Sequence, residues 1–365
     1  LPLWEYAYWV DTIRNWYQCG LPNVYGLPET LSGGSMVYGE SLYWPDEASA
    51  GPRDRDVHAY FGLDEGYIRV PVKSWIWPPF EIQTISDESD RLILRDQMGV
   101  VREVMKDGKS VPRFLQSPVR NREDFDIMKS RLDPSTEGRF PENWDTVAQG
   151  FNEAQFPVVF GGHPCGFFGS LRYLIGLENL CYTYYDNPSL IHEVNNHLCN
   201  LWVNVWGKAL SEVKVDCVHM WEDMSYVGGS LISPAAFREF MMPYYKRVVN
   251  TIKDCGVEFI WVDTDGDCRE LIPLFVECGI TGMYPFEVQS IDVMEVRKNF
   301  PNLEIMGGVS LEKEVPGPEL ETKLRWLIER GRYIPCADNI ILPDVSWKNF
   351  RDYRLIVEKL SLSRS

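Results

Sequence analysis

No apolar run in this chain approaches the roughly 20 residues needed to cross a bilayer, so a helical membrane protein is excluded. No signal-peptide pattern is visible. The chain opens at Leu1 rather than Met, and residues upstream are expected to have been trimmed or left out. Cations are in short supply: 36 Lys and Arg against 53 Asp and Glu leave a net charge of −17. Phosphate neutralisation needs clustered Lys and Arg, so nucleic acid is excluded as a partner. The nine cysteines form no CxxC pair and keep no regular spacing, which excludes a disulfide framework and reads as reduced thiols in a cytoplasmic protein. Walker, HExxH and nucleophile-elbow signatures are absent, and no GxGxxG follows the first expected strand. There is no low-complexity segment and no clear internal repeat.

What is present is a chain with 45% hydrophobic residues and a changing rhythm. Residues 20–56 are rich in Gly and Pro and read as loop, the SGGS at 32–35 included. Between about 68 and 118, apolar and polar residues alternate around a tight KDGK, which predicts a small antiparallel hairpin layer. From about 121 the pattern becomes strand, loop, helix. Short buried strands are expected at 156–162, 214–221, 257–262, 280–285, 303–308 and 332–335, with LPLWE (about 1–6) as the first. Ser233 followed by Pro234 opens a helix that Gly256 closes, and Asp267 with Glu270 reads as a capping box for a helix that stops at Gly279. Ser290 and Ser346 open two more helices. Repeated β-then-α units predict a parallel sheet with right-handed crossovers. The strand count fits a single (β/α)8 TIM-type barrel domain spanning 1–365, with a doubly wound open sheet as the alternative.

Several expected strands end on chemically capable residues. In EFIWVDTDGD, a buried run ends on Asp263, Asp265 and Asp267. Glu222 and Asp223 follow the strand at 214–221, Glu287 follows that at 280–285, and His163 follows that at 156–162. The last strand runs into Cys336, Asp338 and Asn339. In a parallel barrel these ends share one mouth, where active sites form. Each has a plainer reading: Asp267 as a helix cap, Asp263 bonding loop amides, Glu222 and Asp223 as a solvated pair, His163 bracing a turn. Crowded carboxylates are tolerated where a metal, a cation or a shared proton balances them. The aromatic content is 13%, with Trp4, Trp9, Trp75, Trp77 and Trp221 near expected strands. Trp75 and Trp77 are expected to help wall a flat substrate.

The segments WEDMSYVGGSLISPAAFREFMMPYYKRVV, VDTDGD, YPFEV, MGGVSLEKEV and PDVSWKNFRDY resemble the uroporphyrinogen decarboxylase superfamily, and within it the corrinoid-dependent methyltransferase branch. The resemblance covers nearly the whole chain, most strongly 157–360. It implies one (β/α)8 barrel with its pocket at the C-terminal face. The decarboxylases carry an Arg-rich segment after the first strand; here that place reads EYAYWVDTIRNWYQCG. Thiol-activating relatives carry H-x-C after the strand at 257–262, where this chain has Asp263-Thr264-Asp265, and a further Cys near the last strand, where Asn339 aligns. The resemblance then implies methyl transfer from an O- or N-methylated, methoxy-aromatic small molecule to a corrinoid supplied by a partner protein. Asp265, Glu222 and Glu287 would share a metal or a proton with His163 as a nearby donor, Asp223 and Asn339 would contact substrate, and Asp263, Asp265 and Glu222 would be oxygen ligands for zinc. Barrels of this family pair, so a homodimer is expected. A decarboxylase of a small aromatic or heterocyclic acid is the alternative, and predicts a cation in the mouth, with Arg69, Lys73 and Arg95 as candidates. A non-catalytic binding role predicts a plugged mouth.

Overall fold

The computed structural model describes residues 1–33, 35–38, 52–106 and 112–362. In chain order the strands are β1 (Ala7–Trp9), β2 (Met36–Tyr38), β3 (Ile68–Arg69), β4 (Gln83–Asp87), β5 (Arg91–Arg95), β6 (Val101–Met105), β7 (Arg113–Gln116), β8 (Val158–Gly161), β9 (Cys217–Trp221), β10 (Ser225–Tyr226), β11 (Gly229–Ser230), β12 (Phe259–Asp263), β13 (Gly282–Phe286), β14 (Glu304–Val309) and β15 (Tyr333–Ala337). Seven of them form one parallel sheet in the order β3-β8-β9-β12-β13-β14-β15, wrapped by helices as in a (β/α)8 barrel. Its strands are buried on both faces, which is why they read in sequence as short continuous apolar runs.

The chain start closes the barrel, but not as the expected strand at 1–6. The strand proper is β1, which pairs antiparallel with β2 and meets Ile341 by a parallel bridge. On the other side, Leu3 and Asp64 exchange two bonds: Leu3 N donates to Asp64 Oδ2 (2.7 Å) and Asp64 N to Leu3 O (3.1 Å). Glu5 fastens the seam. Its carboxylate accepts from the amide of Ala337 (2.7 Å) and pairs with Arg354 (3.3 Å), both side chains buried. Arg354 also donates to Trp4 O (2.9 Å), so the C-terminal helix Trp347–Leu362 is riveted to the chain start.

The expected antiparallel layer exists as β4 to β7, a four-stranded sheet in sequential order. The turn residues of KDGK from 107 onward lie outside the described residues, as do residues 34, 39–51 and 363–365. The layer is shorter than predicted. Ile68 and Arg69 pair in parallel with Val158 and Val159, so they belong to the barrel. The helix opened by Ser233 does carry that cap, with Ser233 Oγ accepting from Ala236 N (3.2 Å), and Ser346 Oγ accepts from Asn349 N (3.1 Å). The first helix breaks at Met241 into Pro234–Phe240 and Met242–Asp254, because Pro243 has no N–H to continue the ladder. Asp267 is not a cap. The following helix begins at Ile272, with Pro273 in its first turn, and Asp267 pairs instead with Arg269 (2.5 Å). Asp292, not Ser290, caps Val293–Asn299. Among the described residues no helix is long and apolar enough to cross a membrane.

The Glu5–Arg354 pair sets a stability expectation. Glu5→Ala strands a buried guanidinium and should cost about 3–5 kcal/mol in urea unfolding. Glu5→Gln combined with Arg354→Met should cost clearly less than the sum of the single changes, because it leaves no charge unpaired.

Candidate active site

Strand register fixes which side chains look into the barrel. Trp261 lies opposite His219, and Asp263 opposite Trp221. Tyr67, Val159, Trp261, Tyr284, Met306 and Cys336 pack together as the barrel's inner layer. Two residues further along each strand the side chain returns to the same face. Arg69, Trp221 and Asp263 therefore stand one layer higher, at the C-terminal mouth. Asp265 continues the alternation beyond the strand. Thr264 between them is turned away, its hydroxyl accepting from Met224 N (3.1 Å).

Glu222 is fully buried and behaves differently from its expected role. Its carboxylate accepts from the amides of Phe167 (2.8 Å), Phe168 (2.7 Å) and Gly169 (2.8 Å), and from the Tyr245 hydroxyl. It caps the helix Phe167–Ile175, where orphan amides and the helix dipole favour an anion. The approach is possible because Gly166 and Gly169 carry no side chain; a Cβ at either would collide with the carbonyl of Trp221. Burial pushes this carboxyl up to about 7, against the pull of those four donors. With its lone pairs spoken for, Glu222 holds the mouth together and is neither its acid nor a metal ligand.

The remaining carboxylates gather around Asp265. Burial, together with the charges of Asp223, Glu287 and Asp338, pushes Asp265 up to about 7, with Arg172 pulling the other way. Among the described residues no hydrogen bond or ion pair engages its carboxyl. Asp263 is raised as well, by burial and by Asp265 and Asp223, while it accepts a hydrogen bond from Tyr284. Glu287 is a brace: it accepts from Gly266 N (3.0 Å) and from Asn339 Nδ2 (2.6 Å). Gly266 has a left-handed φ of +74°, and a Cβ there would strike the backbone of Tyr226, so the loop after β12 can pass β10 only as glycine. Asp338 accepts from Val288 N (2.9 Å), yet burial and neighbouring glutamates push it up to about 7. Asn339 is thus tied to Glu287, and Asp338, noted at the end of the last strand but given no role there, is the raised titratable group beside it.

The other half of the mouth is aromatic and cationic. His163 Nε2 lies 2.9 Å from the Tyr173 hydroxyl, and its ring sits edge-on to Trp221, centroids 4.5 Å apart. Desolvation and the nearby Arg69, Arg172 and Arg102 push His163 down to about 4, so it is neutral at pH 7. Arg172 pairs with Asp223 and lies over the Trp221 ring (5.7 Å). Asp223 takes a left-handed φ of 43° as it turns out of β9. Arg172 sits mid-helix, where no local sequence signal marks it. Of the expected cations, only Arg69 reaches the mouth, and it donates to Gly161 O. Lys73 lies over the Trp77 ring (5.6 Å), and Arg95 is on β5.

Trp75 and Trp77 do not wall this mouth. Trp75 is buried in the main core, and Trp77 donates to Glu137 O (2.9 Å). The flat surface is Trp221. The zinc ligand set also fails: among the described residues no three His, Cys, Asp or Glu side chains group to hold a metal ion, and Glu222 is committed to the helix. The triplets His163-Pro164-Cys165 and His197-Leu198-Cys199 do not supply one. Cys165 is buried with its Sγ toward Ser74 O (3.7 Å), and Cys199 faces Tyr244 O (3.7 Å).

The family profile described as Uroporphyrinogen decarboxylase (URO-D) matches residues 81–314. The chain belongs to the uroporphyrinogen decarboxylase family. Among solved structures it is similar to a methyltransferase from Methanosarcina mazei, with 13% identity over 84% of this chain and 83% of that one, and a TM-score of 0.52. A second similarity is to a B12-independent methionine synthase from a Shewanella species, with 11% identity over 84% of each chain and a TM-score of 0.42. The first speaks for the shared fold alone and the second carries no argument. No curated protein matches significantly. The family is described by an enzyme, so an enzymatic role is supported for the chain.

Glu222 and Asp265 should separate cleanly in solution. Folded Asp265 keeps its proton to about pH 7, whereas an unfolded Asp ionises near about 4. Folding therefore takes up a proton across that window, and stability falls as pH rises through it. Asp265→Asn should flatten part of this fall and be more stable than wild type at pH 8 in urea unfolding. Glu222→Ala should instead destabilise by at least about 3 kcal/mol at pH 5, since it orphans three buried amides, and by less at pH 8, because this carboxyl too is raised to about 7 and its own contribution falls as pH rises.

Proposed function

We propose that this chain transfers a methyl group from an O- or N-methylated small molecule, best represented by a methoxy-aromatic compound, to a corrinoid carried by a partner protein. The observation that carries the reading is the Asp265 carboxyl. It is partly exposed, free of internal bonds among the described residues, and raised to about 7 by burial and like charges. Such a group holds a proton at neutral pH and can give it up. The ether oxygen leaves with the electrons of the C–O bond, and Asp265 delivers a proton to that oxygen, giving a hydroxyl product. The carboxylate left behind is steadied by Arg172, whose charge already opposes the upward shift. Trp221, with His163 and Tyr173 against it, offers a flat face for the aromatic ring. The corrinoid supplies the nucleophile that takes the methyl group. No step runs through zinc, because the available donors do not converge.

A second reading has its own support. Arg69 in the upper barrel layer and Arg172 beside Trp221 are cations of the kind that hold a substrate carboxylate. In a decarboxylase, Asp265 would protonate the carbon that loses carbon dioxide.

The test is incubation with 2-methoxyphenol and a reduced corrinoid protein, scoring catechol formation, beside carbon dioxide release from aromatic acids without corrinoid. Methyl transfer should need the corrinoid and slow as pH rises through about 7. Asp265→Asn should lower the rate about 10²–10⁴-fold, and less for donors whose phenol is already acidic. Carbon dioxide release independent of corrinoid would overturn the reading in favour of the decarboxylase.

A further inference from the structure

The antiparallel layer β4–β7 has no buried residue in any of its four strands, so it adds little to the core. What it does is reach the mouth. Arg102 lies opposite Phe114 in the register, so both look out from one face. Phe114 packs on Tyr173, ring centroids 5.7 Å apart, and Tyr173 on Trp221 at the same spacing. The layer therefore extends the flat wall of the site outward. We propose that Arg102, at the outer end of this wall, selects a substrate ring that carries a carboxylate, so that the molecule taken by the mouth is a methoxy-aromatic acid. The inference rests on the reading of the mouth as a site for a methoxy-aromatic ring, and adds the acid group to it.

Two guanidiniums bracket the row of rings. Arg102 lies over Phe114 (5.9 Å) and Arg172 over Trp221 (5.7 Å). Each is held by one carboxylate, Arg102 by Asp96 and Arg172 by Asp223. Their side chains stay 24% and 25% exposed, so a ligand can still reach both. Asp96 accepts through its other oxygen from the amides of Met98 and Val100 (2.9 Å each), which fixes the place of Arg102. A guanidinium presents paired N–H donors in one plane, a match for a carboxylate.

The field at this end of the mouth is positive, although the chain carries a net charge of −17. The charges acting on the His163 ring are those of Arg69, Arg172 and Arg102, and all three push it toward the neutral form. His163 is exposed to solvent, yet desolvation is the largest cause of its shift, which is the behaviour of a group on the wall of a cleft. At Tyr173, Asp223 opposes Arg172, while Arg102 acts in the same sense as Arg172. The acidic half around Asp265 repels a carboxylate. The acid group of the ligand therefore lies toward Arg102 and its methoxyl toward Asp265, with the ring on Trp221 between them.

Calorimetric titration at pH 7 with 4-methoxybenzoate and its uncharged isostere 4-methoxybenzamide tests this. The benzoate should bind about tenfold or more tightly than the amide. Arg102→Met should bring the two to parity. Arg95→Met, which removes a cation from the opposite face of the same layer, should keep the preference. Arg102→Gln is the second variant should Arg102→Met fail to fold by circular dichroism. No benzoate binding at millimolar concentration, binding no tighter than that of the amide, or a preference that survives a folded Arg102 variant or is lost as far in Arg95→Met would each overturn the assignment. Methyl transfer to the corrinoid protein is scored separately. Preference for the benzoate without methyl transfer would remove the reaction and keep the acid-binding site; transfer from 2-methoxyphenol without that preference would remove the site and keep the reaction.

Discussion

One buried carboxylate organises the mouth. Glu222 joins the end of β9 to the start of the helix Phe167–Ile175 through three amides, and to the Met242–Asp254 helix through Tyr245. Much else in the mouth follows from that fixed point. The next residue, Asp223, must turn sharply, and its amide reaches Asp263 O (3.3 Å). The anchored helix brings Arg172 to Asp223 and Tyr173 to His163. The aromatic half of the mouth and its cation are therefore positioned by a group that takes no part in chemistry. This is an economical use of a helix N-terminus: the dipole that could bind a ligand anion is satisfied from within.

Against that fixed frame, the acidic half is held in tension. Asp263, Asp265 and Asp338 are each raised, and in each case burial is the largest cause. Arg172 offsets only part of it, because it is shared with Asp223. A chain that needed these carboxylates only for solubility would leave them in water. Held where they are, they destabilise the fold at high pH, and the proton-holding form is the one the structure favours. That arrangement suits proton donation to a leaving group.

The barrel was legible because its strands are buried on both faces and its helices end on Pro, Gly and Ser that do local work. Errors came where tertiary contacts outvoted local pattern. Ile68–Arg69 looked like the start of a hairpin layer, yet Val158 and Val159 recruit it into the barrel. In the mouth, the alternation of Asp263 and Asp265 was readable, since period two puts both on one face. Glu222 and Asp265 look alike in sequence. What distinguishes them is a helix start more than fifty residues away from Glu222, which no local rule registers. Trp75 and Trp77 lie near a strand in sequence, but packing takes Trp75 into the core and Trp77 to Glu137. Trp221 earned the same role by lying opposite Asp263 in the strand register.

The two ends of the barrel are connected by polar groups through its middle layer. His219 Nδ1 lies 3.2 Å from the Tyr284 hydroxyl, and Tyr284 stands opposite Asp263 in the strand register, so the upper carboxylates rest on a column of polar side chains. Burial and Arg69 push His219 down to about 3. A hydrogen bond from Tyr284 favours the ionised form of Asp263, while burial and Asp265 favour the protonated form. Two adjacent carboxyls under opposed influences are a pair that shares a proton rather than a pair that both ionise. Asp263, sealed by burial and raised well above the usual carboxylate range, is the member that holds its proton. Asp265, open to the mouth, is the member from which the proton can leave. The division of labour comes from the alternation in VDTD: one aspartate faces the column below, and the other faces the space above.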